Sequence, residues 1–210
     1  MKWVLKCLNA DQKRQRCQSS AQLLEFFQCD PNHFLPRLMT MDDTWLYHYE
    51  PETKQQSMEW RHSGSPRPKK IRVQKSTGKV LASIFWDLDS ILLIDYLPKG
   101  QTINAEYNSS LLVQLKDILK EKRYRNITKG ILILHNNAQA HQTLATQKKL
   151  AYLGFQCLDH PPYSPDLAPS DYHLFPRLKK QLKGRHFSSD AEVITVAETW
   201  LDGQPSEFFF

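Results

Sequence analysis

The sequence predicts a mixed α/β fold, one sheet with helices packed on it, and three observations carry that prediction. Residues 131–134 form a continuous apolar run after Gly130, the pattern of a strand buried on both faces. Residues 80–86 and 91–97 are two apolar, β-branched runs separated only by 87–90, as in a hairpin. Leu111, Leu112, Leu115, Ile118 and Leu119 fall on one face at helical spacing behind Asn104, a residue type that caps helix N-termini.

The remaining elements follow in order. Leu23, Leu24, Phe26 and Phe27, behind the charged stretch 11–16, predict one or two helices in an N-terminal segment, 1–30, that feeds a main domain over 31–210. Pro31 and Pro36 punctuate the approach to a first strand, where Trp45, Tyr47 and Tyr49 alternate with Leu46 and His48 and place Asp42 and Asp43 on or beside it. From 51 to 79 the chain becomes a proline- and glycine-interrupted excursion carrying Arg61, Arg67, Lys69, Lys70 and Arg72. A loop of that length inside a compact domain is usually functional or mobile. After the buried strand come a helix through 144–153, a strand at 155–158 behind Gly154, and a last helix. This is the order of a ribonuclease-H-like fold, which periodicity alone leaves as one candidate among several mixed sheets.

Composition narrows the classes. The 210 residues, 40% hydrophobic and 24% charged, are those of a globular chain able to bury one sizeable core. No run approaches the roughly 20 apolar residues that a bilayer span needs, and the N-terminus lacks the apolar stretch of a signal peptide. Four widely spaced cysteines, at 7, 17, 29 and 157, form neither a disulfide framework nor a zinc motif, which leaves free thiols in a reducing compartment as the expectation. A net charge of +6 suits a polyanionic partner.

Three positions stand where a strand ends or a helix begins: Asp42, Asn136 and Asp171. Phosphodiester chemistry commonly uses two divalent cations, and hard cations take several carboxylate oxygens. Strand-adjacent carboxylates from distant parts of the chain can converge to hold such a pair. The histidines nearby read differently: His135 as a hydrogen-bonded end of a buried strand, His173 as a packing residue, and His141 as either structural or functional. Asp166 is expected to cap local backbone in its Ser-Pro-Asp turn.

Residues 163–175 read YSPDLAPSDYHLF, and 135–141 read HNNAQAH. The first resembles the YSPDLAPSDYHLF signature of the mariner transposases and the second their HDNAPxH motif. The residues between Asn136 and Asp171, 137–170, number 34, the spacing that names the mariner class among DDE/D transposases. Residues 41–45, MDDTW, are similar to the GDExW segment, and 3–8, WVLKCL, to the WVPHEL linker, so the resemblance spans nearly the whole chain.

The resemblance implies a ribonuclease-H-like catalytic core that cuts transposon ends, joins the freed 3′ hydroxyl to a TA target in DNA, and uses Mg²⁺ or Mn²⁺. It implies Asp42, position 136 and Asp171 as the catalytic set, with Asp42 and Asp171 as metal ligands. It also implies a homodimer, in which the basic excursion meets DNA or the partner through Arg61, Arg67, Lys69, Lys70 and Arg72. A nuclear location is the corresponding expectation, with the basic run 66–72 as an import signal.

Three departures shape the functional expectation. Asn136 stands where the family has its second Asp, so a bidentate anion becomes a neutral amide with one oxygen for a hard cation, and strand cleavage is expected to be crippled while the fold survives. The chain begins at the linker, without the paired helix-turn-helix modules, so sequence-specific binding is expected to be lost or weak. It stops at Phe208, Phe209 and Phe210, short of the family's last helix, and such a tail is expected to be exposed and prone to association. The alternatives are a non-catalytic DNA-binding or dimerising remnant and an expressed relic.

Overall fold

The structure is a computed structural model that describes residues 7–53, 56, 74–123, 130–135, 141, 143–158, 160, 161 and 163–209. Its centre is one five-stranded sheet. β1 (Leu38–Tyr47), β2 (Lys79–Asp87) and β3 (Ile91–Leu97) run antiparallel in succession, and β4 (Ile131–His135) and β5 (Phe155–Leu158) join in parallel beyond β1. The strand order is β3-β2-β1-β4-β5, the mixed ribonuclease-H-like arrangement that the order of elements predicts. The hairpin of β2 and β3 turns on Asp87, whose Oδ1 accepts from the backbone N–H groups of Asp89 and Ser90 at 2.9 and 3.0 Å.

Alternation along the strands divides the core into two sides. Met39 and Met41 of β1, Phe85 of β2 and Ile133 of β4 pack on one side under the helices α3 (Ala105–Arg123) and α4 (Leu144–Leu153). Leu46, Ala82, Ile84 and Trp86 pack on the other under α5 (Phe175–Leu182) and α6 (Asp190–Asp202). Leu132 and Leu134 turn to that second side too, beneath Phe34 of the short helix α2 (Pro31–Arg37). β4 is therefore apolar on both faces, as its unbroken run requires. The helices start where polar side chains meet free backbone N–H groups. Asn104 accepts from the N–H of Tyr107 at 2.8 Å and Thr143 from that of Thr146 at 3.2 Å, while Gly154 ends α4 in the left-handed region at φ 77°.

The N-terminal segment, expected as one or two helices, forms one long helix, α1 (Ala10–Cys29), opened by a capping box between Asn9 and Gln12. It contains no buried residue and Leu24, Phe26 and Phe27 are exposed, while Leu23 packs against the cluster around Phe34 and the Phe27 ring meets Phe34 edge-on. Two further expectations are corrected. Two helices follow the signature segment instead of one. The terminal aromatics are not a free tail: Phe209 is buried at 7% exposure against Trp86, and the ring nitrogen of His173 meets the carbonyl of Phe208 at 2.6 Å. Trp86, Trp200 and the stacked His173 offer enough apolar surface to take in two phenyl rings that no helix periodicity announces. No helix among the described residues is long and apolar enough to cross a membrane.

Candidate active site

Asp42 lies in the middle of β1, not after it, and is 4% exposed. The strand-end argument survives for the neighbouring strand. The parallel ladder between β1 and β4 closes with Met41 opposite His135, so Asp42 is the first β1 residue past the end of β4, while it still pairs with Ile84 of β2. A buried carboxylate therefore lies level with the end of β4, in the heart of the sheet. Asn136 is next in sequence after His135 and lies outside the described residues, as do Arg61, Arg67, Lys69, Lys70 and Arg72.

Alternation sends Asp42 to the same side as Thr40, Thr44 and Leu46. On that side sits a five-residue π-helical turn, Ser170–Leu174, which packs against β1 and carries Asp171. Two buried residues anchor the turn. Leu174 is fully enclosed, and the Ser170 hydroxyl accepts from the indole N–H of Trp86 at 2.9 Å. Because Trp86 pairs with Thr40, this bond ties the turn to the part of β1 that precedes Asp42 by two residues. π-helical turns occur mostly as single distortions at functional sites.

Asp171 itself is exposed at the surface of the turn. Partial burial of its carboxyl pushes the pKa up, and the positive charges of Lys179 and His160 oppose that shift. Burial lowers the pKa of His160, against the pull of Asp171, and burial likewise lowers that of Lys179, against Glu50. Sequence reasoning passed over His160 and Lys179. Neither stands in a motif with a periodic signal; Lys179 lies two turns beyond Asp171, on the helix α5 that continues directly from the π-helical turn.

The opposite side of the strand holds a second polar cluster. Asp43 points away from Asp42 and accepts from the Ser83 hydroxyl at 2.6 Å, while His141 Nε2 stands 3.7 Å from its other oxygen. Nδ1 of His141 and the amide nitrogen of Asn108 are 2.9 Å apart. His135 ends β4 with Nε2 3.0 Å from Cys157 Sγ, at the mouth of a cleft of about 1090 Å³ that Gln15, Gln18 and Gln22 of α1 roof over. The structural expectations for His135 and His173 fit these contacts. Asp166, expected to cap local backbone, instead pairs with Arg16 of α1 at 2.6 Å.

Asp42 and Asp171 are hard oxygen donors on one side of the sheet, and by donor chemistry they fit Mg²⁺ or Mn²⁺ better than a soft metal. Among the described residues no group of three or more His, Cys, Asp or Glu is arranged to hold a metal ion. That is consistent with a set whose third position is 136.

Comparison with known proteins agrees with this geometry. A family model described as transposase, partial DDE domain, matches residues 50–129. Over 211 residues the chain is 29% identical to the Mariner Mos1 transposase of Drosophila mauritiana, covering 100% of this chain and 60% of that protein. The crystal structure of the catalytic domain of Mos1 mariner transposase superimposes with a TM-score of 0.79 at 28% identity, covering 99% of this chain and 89% of that one. The chain is homologous to the catalytic domain of the mariner-type transposases. The chain is also 30% identical over 209 residues to the human protein named histone-lysine N-methyltransferase SETMAR, covering 99% of this chain and 30% of that protein. The Mos1 mariner paired end complex solved with Mn superimposes with a TM-score of 0.86 at 30% identity, over 100% of this chain and 60% of that one. The chain thus spans less than two thirds of the length of either curated relative, whereas it covers 89% of the Mos1 catalytic domain.

Proposed function

We propose that the chain is a polynucleotidyl transferase domain that cleaves DNA strands at transposon ends and transfers them to a TA target, with Asn136 impairing the chemistry. The observation that carries this reading is Asp42, a buried carboxylate one residue past the end of the β1–β4 ladder, on the same side of the sheet as the turn that presents Asp171. A solvated surface Asp needs no such enclosure. Bound Mg²⁺ or Mn²⁺ would supply activation of the attacking oxygen and stabilisation of the leaving one. Asp42 and Asp171 are the residues that would hold it, and a Mos1 paired end complex solved with Mn supports the use of a divalent metal.

The chain's own groups account for the rest. Asp42 is oriented by the N–H of Asp43, bonded to its Oδ1 at 2.8 Å, so its second oxygen is preset. Lys179 adds positive potential next to Asp171, where a phosphate would otherwise meet a bare carboxylate. Asn136 contributes one neutral oxygen where two anionic ones belong, and losing one such stabilising donor elsewhere costs about 2.7–4 kcal/mol. Partnership with DNA, assembly as a homodimer and a nuclear location complete the reading. It is supported by the net charge, by the basic stretch 51–79 and by a relative solved as a paired end complex.

Asn136 also favours a second reading, a remnant that binds DNA or dimerises without cutting. A plasmid nicking assay with Mn²⁺ and Mg²⁺ separates the two, using the chain as given, Asn136→Asp, and Asn136→Asp with Asp42→Ala. The expected result is at least about a hundredfold faster nicking by Asn136→Asp than by the native chain, and none by the double variant. Equal nicking by the native chain and Asn136→Asp would refute impairment. Nicking that survives Asp42→Ala would refute the site.

A further inference from the structure

We infer that Asn108, His141 and Ser83 are positioning residues that hold Asp42 from the opposite face of the sheet, acting through Asp43; the inference rests on the metal-binding role proposed for Asp42. Past the end of β4, the ladder partners of residues 42 and 43 among the described residues are Ile84 and Ser83 of β2. The orientation of the Asp42 carboxylate is nevertheless set, because its Oδ1 accepts from the backbone N–H of Asp43 at 2.8 Å. Whatever fixes residue 43 therefore fixes the carboxylate of residue 42.

Asp43 is fixed by its side chain. Ser83, its cross-strand partner on β2, donates to Oδ1 at 2.6 Å and is 1% exposed. Oδ2 faces Nε2 of His141, whose ring is 1% exposed. The Asn108 side-chain nitrogen can only donate, so Nδ1 of His141 accepts at 2.9 Å and the neutral ring carries its proton on Nε2, the atom turned toward Asp43. At 3.7 Å this N–H is just outside hydrogen-bond range and has no hydrogen-bond partner in the structure. An orphaned buried donor is costly, and the near acceptor is the carboxylate of Asp43, so the ring and Asp43 are drawn together. α3 thereby reaches the site through three side chains, Asn108, His141 and Asp43, and one backbone N–H.

A polar plug in the core would use the same residues, and the two roles differ in what their loss moves. Mn²⁺ binding to the purified chain, read from the free-ion electron paramagnetic resonance signal alongside the melting temperature, distinguishes them in Asp42→Asn, His141→Leu, His141→Gln and Ser83→Ala. Removal of outer-shell partners typically costs about 10–100-fold in metal affinity. The expected result is loss of binding in Asp42→Asn and a tenfold or greater weakening in His141→Leu and Ser83→Ala. His141→Gln, whose amide nitrogen stands in for Nε2–H, should restore affinity to within about threefold of the native chain. Ser83→Ala removes one hydroxyl with little change of volume and carries the result should His141→Leu not fold. Native affinity in Ser83→Ala and in any folded His141→Leu, with Asp42→Asn inactive in binding, would overturn the positioning role. Native affinity in Asp42→Asn would overturn the metal-binding reading and this inference with it.

Discussion

Adjacent carboxylates on one strand have opposite surroundings because successive side chains leave a strand on opposite faces. Asp42 enters the side that faces the turn bearing Asp171, while Asp43 enters the side filled by α3 and meets Ser83 and His141. Asp171 differs from both in being exposed, with a pKa pushed up by partial burial. A carboxyl whose folded pKa exceeds its unfolded value binds its proton more readily when folded, so it stabilises below the unfolded pKa and that contribution is lost as pH rises through the folded one. Asp171→Asn should therefore leave the stability at neutral pH unchanged or raise it by less than about 1 kcal/mol, while metal-dependent nicking by Asn136→Asp is lost. Thermal melting with a nicking assay checks both halves, and a clearly destabilised Asp171→Asn would contradict the account. Such a trade, activity retained against stability, is common where charge is held for function.

The elements show the same division between local chemistry and distant contact. The π-helical turn Ser170–Leu174 is held by the indole of Trp86, so Ser170→Ala leaves a buried N–H without its acceptor and should cost about 1–3 kcal/mol in chemical denaturation. Trp86→Phe combined with Ser170→Ala removes both partners and should recover part of that loss. At the start of α6, Asp190 receives Lys99 at 2.8 Å and His48 at 2.6 Å, joining the loop after β3 and the end of β1 to the helix. Lys99 first, then His48, holds the Asp190 carboxyl below its ordinary pKa. With the folded pKa depressed, the stabilisation is present above the unfolded pKa and disappears as pH falls through the folded one. The melting temperature of Asp190→Asn should thus lie below the native value at pH 7, and the gap should close as pH falls below the ordinary Asp range. A gap that persists unchanged at low pH would assign the effect to packing.

At the scale of the whole molecule, the charge of +6 and the basic stretch 51–79 bear on DNA binding through counterion release. If the chain meets about six phosphates, its affinity for duplex DNA should fall by about a thousandfold between about 50 and 200 mM salt. Neutralising Arg61, Arg67, Lys69, Lys70 and Arg72 together should flatten that dependence, which fluorescence anisotropy would measure. A flat salt response in the native chain would exclude phosphate-dominated binding. The sequence by itself determined the strands, the hairpin, the capped α3 and α4, and the positions of two acidic residues within recognisable motifs, because periodicity, capping and turn chemistry are local properties of the chain. It also fixed what no fold can restore, an amide at position 136. Tertiary structure alone decided that Asp42 stands past the end of β4 rather than at the end of β1, that His160 bears on Asp171, that Asn108 reaches Asp43 through His141, and that Phe209 closes over Trp86. Those outcomes depend on strand order and register, which arise from contacts between residues far apart in sequence and leave no periodic trace along it.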